Sequence, residues 1–196
     1  SFMFAYLNLG NAQFESKFFE ESIVSFEKAI SFDRNFIPGY LNICRALLKL
    51  EKFDQALKYS DEIIKLDNMN IHGNLIQGDI NLILKNFSNA IKNYEKIIKI
   101  DPRHSLVLGK LLHAKMYLND WKNYKKLLGD IIKYIDKNIM VIHPSIFLPL
   151  TDQPDLHLKA SKIYTNHYYK KDLINQKISF EKKSKINIGY FSSDFY

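Results

Sequence analysis

The chain has 196 residues, 46% of them hydrophobic and 25% charged, which is ordinary for a water-soluble folded protein. It has no apolar run of about 18 residues, which excludes a membrane-spanning helix, and its single cysteine, Cys44, excludes an internal disulfide and suits a cytoplasmic location. The net charge of +7 comes from lysines scattered along the chain, so we expect neither a nucleic-acid nor a membrane partner. The six histidines lack ligand spacing, so we expect no metal site.

An internal repeat occupies most of the chain. Segments 6–36, 40–70 and 74–104 align without gaps at a period of 34 residues. Several residues recur in register: Gly10, Cys44 and Gly78; Phe19, Phe53 and Phe87; Ser22, Ala56 and Ala90; Asp33, Asp67 and Asp101. Each period predicts two antiparallel helices with small residues where the helices touch, and the pattern resembles the tetratricopeptide repeat.

The period divides residues 1–138 into repeats at 3–36, 37–70 and 71–104 and a degenerate fourth repeat at 105–138. In the fourth repeat, Leu112 and Tyr124 replace the small residues, and Trp121 is predicted to begin the second helix. Atypical terminal repeats are expected where an array is capped. We therefore expect this repeat to pack against the segment that follows it.

Two asparagines, Asn8 and Asn42, lie at equivalent positions on successive first helices, which are expected to line the inner side of a curved array. A carboxamide both donates and accepts hydrogen bonds, so such a ladder could bind the backbone of an extended peptide. Ile76 and Lys110 interrupt the ladder in the next repeats. The alternative is that both asparagines are ordinary solvated helix residues.

The sequence pattern changes after Asn138, where the 34-residue repeat ends. The linker 139–184 contains Pro144, Pro149 and Pro154, which block a continuous helix, and a new helix is predicted at about 154–170. The last segment, 185–196, reads "KINIGYFSSDFY". A polar lead-in, a short apolar run and Ser-Ser-Asp together predict the first strand of a doubly wound α/β domain.

Repeats, proline-punctuated linker and final strand together resemble the glycosyltransferase family that contains protein O-GlcNAc transferase and SPINDLY-type proteins. Phe191 replaces the usual Val of the family motif, and His143–Pro144 and Pro149 match the linker. The motif residues that match are Gly189, Tyr190, Ser192, Ser193, Asp194 and Phe195. Repeats of this family use an asparagine ladder, which is how Asn8 and Asn42 would be interpreted.

The resemblance implies a mainly α chain: an α-solenoid of about four helix pairs, a linker helix and the first β-strand of a truncated GT-B α/β domain. It implies transfer of a sugar to Ser or Thr of protein acceptors, with UDP-GlcNAc as the nucleotide-sugar donor, although some members use GDP-fucose, and with no cofactor or metal. Ser192, Ser193, Asp194 and Phe195 would lie near the active site, or simply satisfy turn amides. No catalytic residue would fall within this chain, which would be inactive alone.

The alternative function is a noncatalytic tetratricopeptide-repeat scaffold that mediates protein–protein interaction. Repeats of this kind occur in many scaffolds, and they need only bind a peptide or assemble a complex. On this interpretation the final strand belongs to something unrelated.

Overall fold

The computed structural model describes residues 2–169, and this part of the chain forms ten α-helices and no strand. The helices are α1 Phe2–Glu15, α2 Phe19–Phe32, α3 Ile37–Lys49, α4 Phe53–Leu66, α5 Ile71–Ile83, α6 Phe87–Ile100, α7 Val107–Tyr117, α8 Tyr124–Asp136, α9 Pro144–Phe147 and α10 Pro154–Tyr168. A short 3-10 helix, Leu148–Leu150, follows α9. The prediction of an α-solenoid of about four helix pairs, followed by a linker helix, is confirmed. The strand and α/β domain expected at 185–196 lie outside the described residues.

The helices stack as a series of hairpins. Helix α1 packs on α2, α3 on α4 and α5 on α6, and the second helix of each hairpin also packs on the first helix of the next. We call α1, α3, α5 and α7 the A helices and α2, α4, α6 and α8 the B helices. Each hairpin packs mainly on its neighbours along the chain. The hydrophobic core is therefore a series of interfaces between consecutive hairpins, as in other solenoids.

The small residues of the repeat lie where the A and B helices approach most closely. A Cβ atom at Gly10 would lie 2.5 Å from Cε1 of Phe26, and one at Gly78 would lie 2.7 Å from Cε1 of Tyr94. Cys44 takes the same position in the second repeat and is fully buried. A larger side chain at these positions would push the aromatic ring of the B helix away.

The first three B helices begin at their aromatic residues, as predicted. They start at Phe19, Phe53 and Phe87. The residue two positions before each of these aromatics has a left-handed backbone: Lys17, Glu51 and Lys85, with φ of 66°, 56° and 60°. The same turn therefore joins the two helices in each of these repeats, and a non-glycine residue occupies its strained position.

The fourth repeat departs from this pattern, and the prediction that Trp121 begins its B helix is wrong. Helix α8 begins at Tyr124, and Trp121 lies in the turn before it, 53% exposed. The backbone is left-handed at Asn119, with φ of 52°, and again at Asn123, with φ of 61°. Asparagine tolerates this conformation, and the second left-handed residue delays the start of the helix by several positions.

The segment after the repeats covers the fourth repeat, as the sequence indicates. Residues of α7 and α8, including Leu112, Ile131 and Ile135, share one buried cluster with Phe147 of α9 and Ala160 of α10. The backbone joins the contact too: the N–H of Gly109 donates to the carbonyl of Val141 at 2.9 Å. Helices α9 and α10 therefore cap the apolar end of the array.

Candidate binding surface on the A helices

Two rows of side chains, spaced by the repeat period, form the accessible side of the A helices. The first row is Asn8, Asn42, Ile76 and Lys110, and the second row is Asn11, Arg45, Asp79 and His113. We call these eight residues the A-helix face. All of them are exposed or half-buried, so a partner could reach the whole face.

At the N-terminal end of the A-helix face, hydrogen bonds join two adjacent A helices. Asn42 Nδ2 on α3 donates to Asn11 Oδ1 on α1 at 3.1 Å, and Arg45 Nη1 donates to Asn42 Oδ1 at 3.2 Å. Each amide thus fixes the orientation of the next side chain. The result is a pre-oriented polar chain on the surface, with the guanidinium of Arg45 at its end.

Arg45 borders an open pocket between α1 and α3. Its guanidinium carbon lies 4.8 Å from the centre of the Phe14 ring, close enough for a cation–π contact. The pocket has a volume of about 670 Å³, and its lining also includes Lys17, Lys49 and Glu15. The lining has three basic residues and one acidic residue, so the pocket suits an anionic group.

The C-terminal end of the A-helix face is neutralised internally. Lys110 Nζ on α7 forms an ion pair with Asp79 of α5 at 2.6 Å. The hydroxyl of Tyr94 donates to the same carboxylate at 2.7 Å. Burial, and then the Asp79 carboxylate, raise the pKa of the Tyr94 hydroxyl far above its usual value. These contacts hold α5, α6 and α7 together and leave little free charge there.

The predicted ladder residues lie on neighbouring A helices, but they do not bond to each other. Asn42 bonds to Asn11, and Asn8 is exposed and makes no side-chain hydrogen bond with any residue in the range 2–169. Asn11 and Arg45 were not among the residues predicted for this surface. Each follows a ladder asparagine by three positions, so helical spacing could have placed both on the same face.

The described residues contain neither a cluster of metal ligands nor an activated thiol. Between residues 2 and 169 there is no group of three or more metal-ligating side chains. Burial raises the pKa of the Cys44 thiol to about 12, so this cysteine is not a nucleophile at neutral pH. Ser192, Ser193, Asp194 and Phe195 lie outside the described range. In the part of the chain with described coordinates, no helix is both long and apolar enough to span a bilayer.

Comparison with known proteins agrees with the repeat geometry. The family model described as "Tetratricopeptide repeat" matches residues 5–36 and 72–104. The chain contains tetratricopeptide repeats. Those two matches correspond to the first and third hairpins of the structure, and the second hairpin between them has the same period and turn.

Several solved structures share this fold, and two of the three that follow are described as TPR structures. The first TPR of Spaghetti (RPAP3), bound to the HSP90 peptide SRMEEVD, is 20% identical, with a TM-score of 0.57 over 60% of this chain and 93% of that chain. The MamA RS-1 ArsTM double mutant is 14% identical, with a TM-score of 0.65 over 85% and 96%. The Arabidopsis OM64 TPR domain is 18% identical, with a TM-score of 0.55 over 59% and 95%.

These likenesses establish the tetratricopeptide-repeat fold alone. No curated protein matches the sequence. Neither the matching family model nor these three structures supports the resemblance to the glycosyltransferase family. The resemblance therefore rests on sequence motifs alone, those of the linker at His143–Pro144 and Pro149 and of residues 186–196.

Proposed function

We propose that this chain is a protein-interaction module whose A-helix face binds an extended segment of a partner polypeptide. This is the noncatalytic scaffold function, which the sequence analysis gave as the alternative to a glycosyltransferase. The observation that carries the proposal is the hydrogen-bonded chain from Asn11 through Asn42 to Arg45, which lies exposed across two A helices.

The polar chain has the chemistry that an extended peptide needs. A peptide backbone presents N–H and C=O groups in alternation, and carboxamides can pair with both. Because Asn11 and Asn42 already hold each other, little side-chain entropy is lost when a peptide binds. Helical repeat domains commonly use such prearranged faces for extended ligands.

The charge of the surface indicates the side chains that the partner brings. Arg45, Lys17 and Lys49 border the pocket at one end of the face, and Glu15 is the acidic residue among them. An Asp or Glu side chain, or a C-terminal carboxylate, fits this pocket. The RPAP3 repeat domain, whose fold is similar, is bound to an acidic peptide, which supports an acidic ligand of this general type.

Peptide selection followed by affinity measurement tests the proposal. Peptides would be selected from a random 12-residue library, synthesised with a fluorophore, and titrated with the protein by fluorescence anisotropy. We expect Arg45→Ala to weaken binding by about tenfold or more, because it removes a hydrogen-bonded charge contact of about 1.5–3 kcal/mol. Asn42→Ala should weaken binding by about threefold to tenfold.

Arg34→Ala is the matched control, since Arg34 is exposed in the turn after α2 and only its backbone carbonyl is used, by Tyr40. It should leave the affinity unchanged. If neither Arg45→Ala nor Asn42→Ala alters the affinity of any selected peptide, the A-helix face is not the binding surface.

A second candidate function rests on the sequence motifs of the linker and of Gly189–Phe195. It is transfer of a sugar, with UDP-GlcNAc as donor, to proteins held by the repeats, and it requires α/β lobes that this sequence does not contain. Reading the gene beyond Tyr196 and assaying UDP release by its product tests it. A stop codon directly after Tyr196 contradicts it.

A further inference from the structure

A second pocket lies between the second and third repeats, away from the A-helix face. Helix α5 forms its floor, α4 and α6 form its walls, and its volume is about 410 Å³. Its lining contains five carboxamides, one carboxylate and two lysines, with Leu57 as the apolar exception. Volumes of this order are typical of small-molecule sites.

The preceding junction, between the first and second repeats, shows why this pocket is open. There Tyr59 of α4 lies across the groove, and its hydroxyl donates to Glu27 of α2 at 2.5 Å. The residues one period later are Asn93 and Asp61. Both side chains are shorter than their counterparts, so the space that the Tyr59 ring fills in one junction stays empty in the next.

The floor of the pocket differs in the same way. Ile43 and Leu47 of α3 are buried in the earlier junction, and their counterparts on α5 are Gln77 and Asn81. Two apolar residues have thus become carboxamides at positions that normally stack one repeat on another. The exchange gives up apolar burial at this junction and supplies hydrogen-bonding groups instead.

Hydrogen bonds to backbone carbonyls fix which way the carboxamides point. Asn74 Nδ2 donates to the carbonyls of Asn68 and Asn70 at 3.1 and 2.8 Å, which leaves Asn74 Oδ1 as an acceptor. That oxygen accepts from Asn93 Nδ2 at 3.2 Å, and Gln77 Oε1 accepts from the same Nδ2 at 2.7 Å. Asn93 therefore uses its nitrogen inward and presents its oxygen elsewhere.

Two accessible oxygens, on side chains that are otherwise nearly buried, are left for a ligand. Asn81 Nδ2 donates to the carbonyl of Gln77 at 2.9 Å, so its Oδ1 is also an acceptor. Asn81 and Asn93 are each 5% exposed and line the pocket, and within residues 2–169 no hydrogen-bond donor reaches either Oδ1, so both oxygens stay open to solvent. Gln77 Nε2 donates to only one oxygen of Asp61, at 2.6 Å. The inner part of the pocket thus offers acceptors and a negative charge.

The rim has the opposite character. Lys92 and Lys96 lie one turn apart on α6, and neither forms an ion pair with a carboxylate of the described range. A ligand that satisfies both parts must bring hydrogen-bond donors and a positive charge to the floor and an anionic group to the rim. We propose that this pocket binds a free α-amino acid, with the ammonium at Asp61, Asn81 and Asn93 and the carboxylate at Lys92 and Lys96.

Isothermal titration of the full chain with each of the twenty amino acids tests the proposal directly. We expect at least one amino acid to bind at a single site with a Kd of about 1 mM or tighter. For that amino acid, the analogue without the amino group and the analogue without the carboxylate should each bind at least about tenfold more weakly, because each loses a charge-assisted contact.

Two substitutions localise the binding. Asp61→Asn keeps an oxygen for Gln77 but removes the charge, and Asn81→Leu introduces the residue of the preceding repeat, so thermal melts should show both folded. Each should weaken amino-acid binding by about tenfold or more, whereas Asp54→Asn, on the exposed first turn of α4, should leave it unchanged.

Absence of binding by all twenty amino acids at about 10 mM would overturn the proposal. Binding that survives both pocket substitutions would overturn it as well. Equal or tighter binding of neutral sugars or of inorganic phosphate in the same pocket would assign a different ligand class.

Discussion

Cys44 illustrates how the repeat period determines the chemistry of a single side chain. Glycine takes its position in the first and third repeats, and the thiol is fully buried where the A and B helices meet. Burial raises the pKa of Cys44 from 9.0 to about 12. The folded protein therefore keeps this proton at a pH where the unfolded chain has lost it.

Stability should fall at alkaline pH, in part because of Cys44. The folded pKa lies above the unfolded value, so the contribution is complete below pH 9.0 and is lost as pH rises towards about 12. Between about pH 9 and 10.5, the wild type should lose about 1–2 kcal/mol more unfolding free energy than Cys44→Ala. Urea unfolding at each pH measures this. Parallel pH profiles for the two proteins would contradict it.

At the scale of elements, the turn between the A and B helices is the most regular feature of the array. Lys17, Glu51 and Lys85 all have a positive φ, a conformation in which a side chain is strained. Nothing in the helical period requires glycine there, and the sequence does not use it. The strain is therefore repeated once in each of these turns.

Glycine at one of these turns should stabilise the protein. Lys85→Gly removes the left-handed strain, offset in part by the greater freedom of glycine in the unfolded chain, for a net gain of about 0.5–1 kcal/mol. Lys58→Gly, in the exposed middle of α4, is the control and should cost about 1 kcal/mol. Denaturant midpoints measure both changes. A loss of stability in Lys85→Gly would show that the turn is unstrained.

The sequence predicts these elements well where the signal is periodic. The small residues and the aromatics Phe19, Phe53 and Phe87 recur every 34 residues, so helix pairs and turns follow from them. The late start of α8 was not predictable from the period, because it depends on the backbone of Asn123. Neither was the bond between Asn42 and Asn11, which depends on how two helices pack.

The sequence contains the residue exchanges that open the polar pocket, but the pocket was not predicted from them. Asn93 and Asp61 stand where the preceding repeat has Tyr59 and Glu27, and the alignment shows both exchanges. Their meaning depends on the Tyr59–Glu27 contact across the groove, which only the structure shows. An alignment of the repeats identifies a change of residue type, but it does not show which space the larger side chain occupied in the other repeat.

For the whole molecule, the cap formed by α9 and α10 makes the fourth repeat depend on the segment after it. Phe147 is fully buried in the cluster that joins α7, α8 and α10. A separate cluster around Phe26 and Ile43 joins the first two repeats to Ile80 of α5. Since solenoid stability is a sum over neighbouring units, damage at one end need not reach the other.

Phe147→Ala should therefore loosen one end of the array selectively. It should lower stability by about 3–5 kcal/mol, because a buried ring is replaced by a cavity. Hydrogen exchange by mass spectrometry should accelerate in α7, α8 and α10 and stay near wild type in α1–α4. Leu148→Ala, which truncates the exposed neighbour, is the control and should change neither region. Uniform acceleration along the chain would show a single cooperative unit.

The ion pair of Lys110 and Asp79 gives the junction of the third and fourth repeats a sensitivity that the previous junction largely lacks. Dissolved electrolyte screens partly exposed charges, and these two side chains retain 26% and 32% of their accessible surface. Hydrogen bonds of Asn74 and Gln77 join the second and third repeats, and Asp61 is the one charged partner among them, so screening affects that junction less. Rising ionic strength therefore weakens this junction more than the one between the second and third repeats.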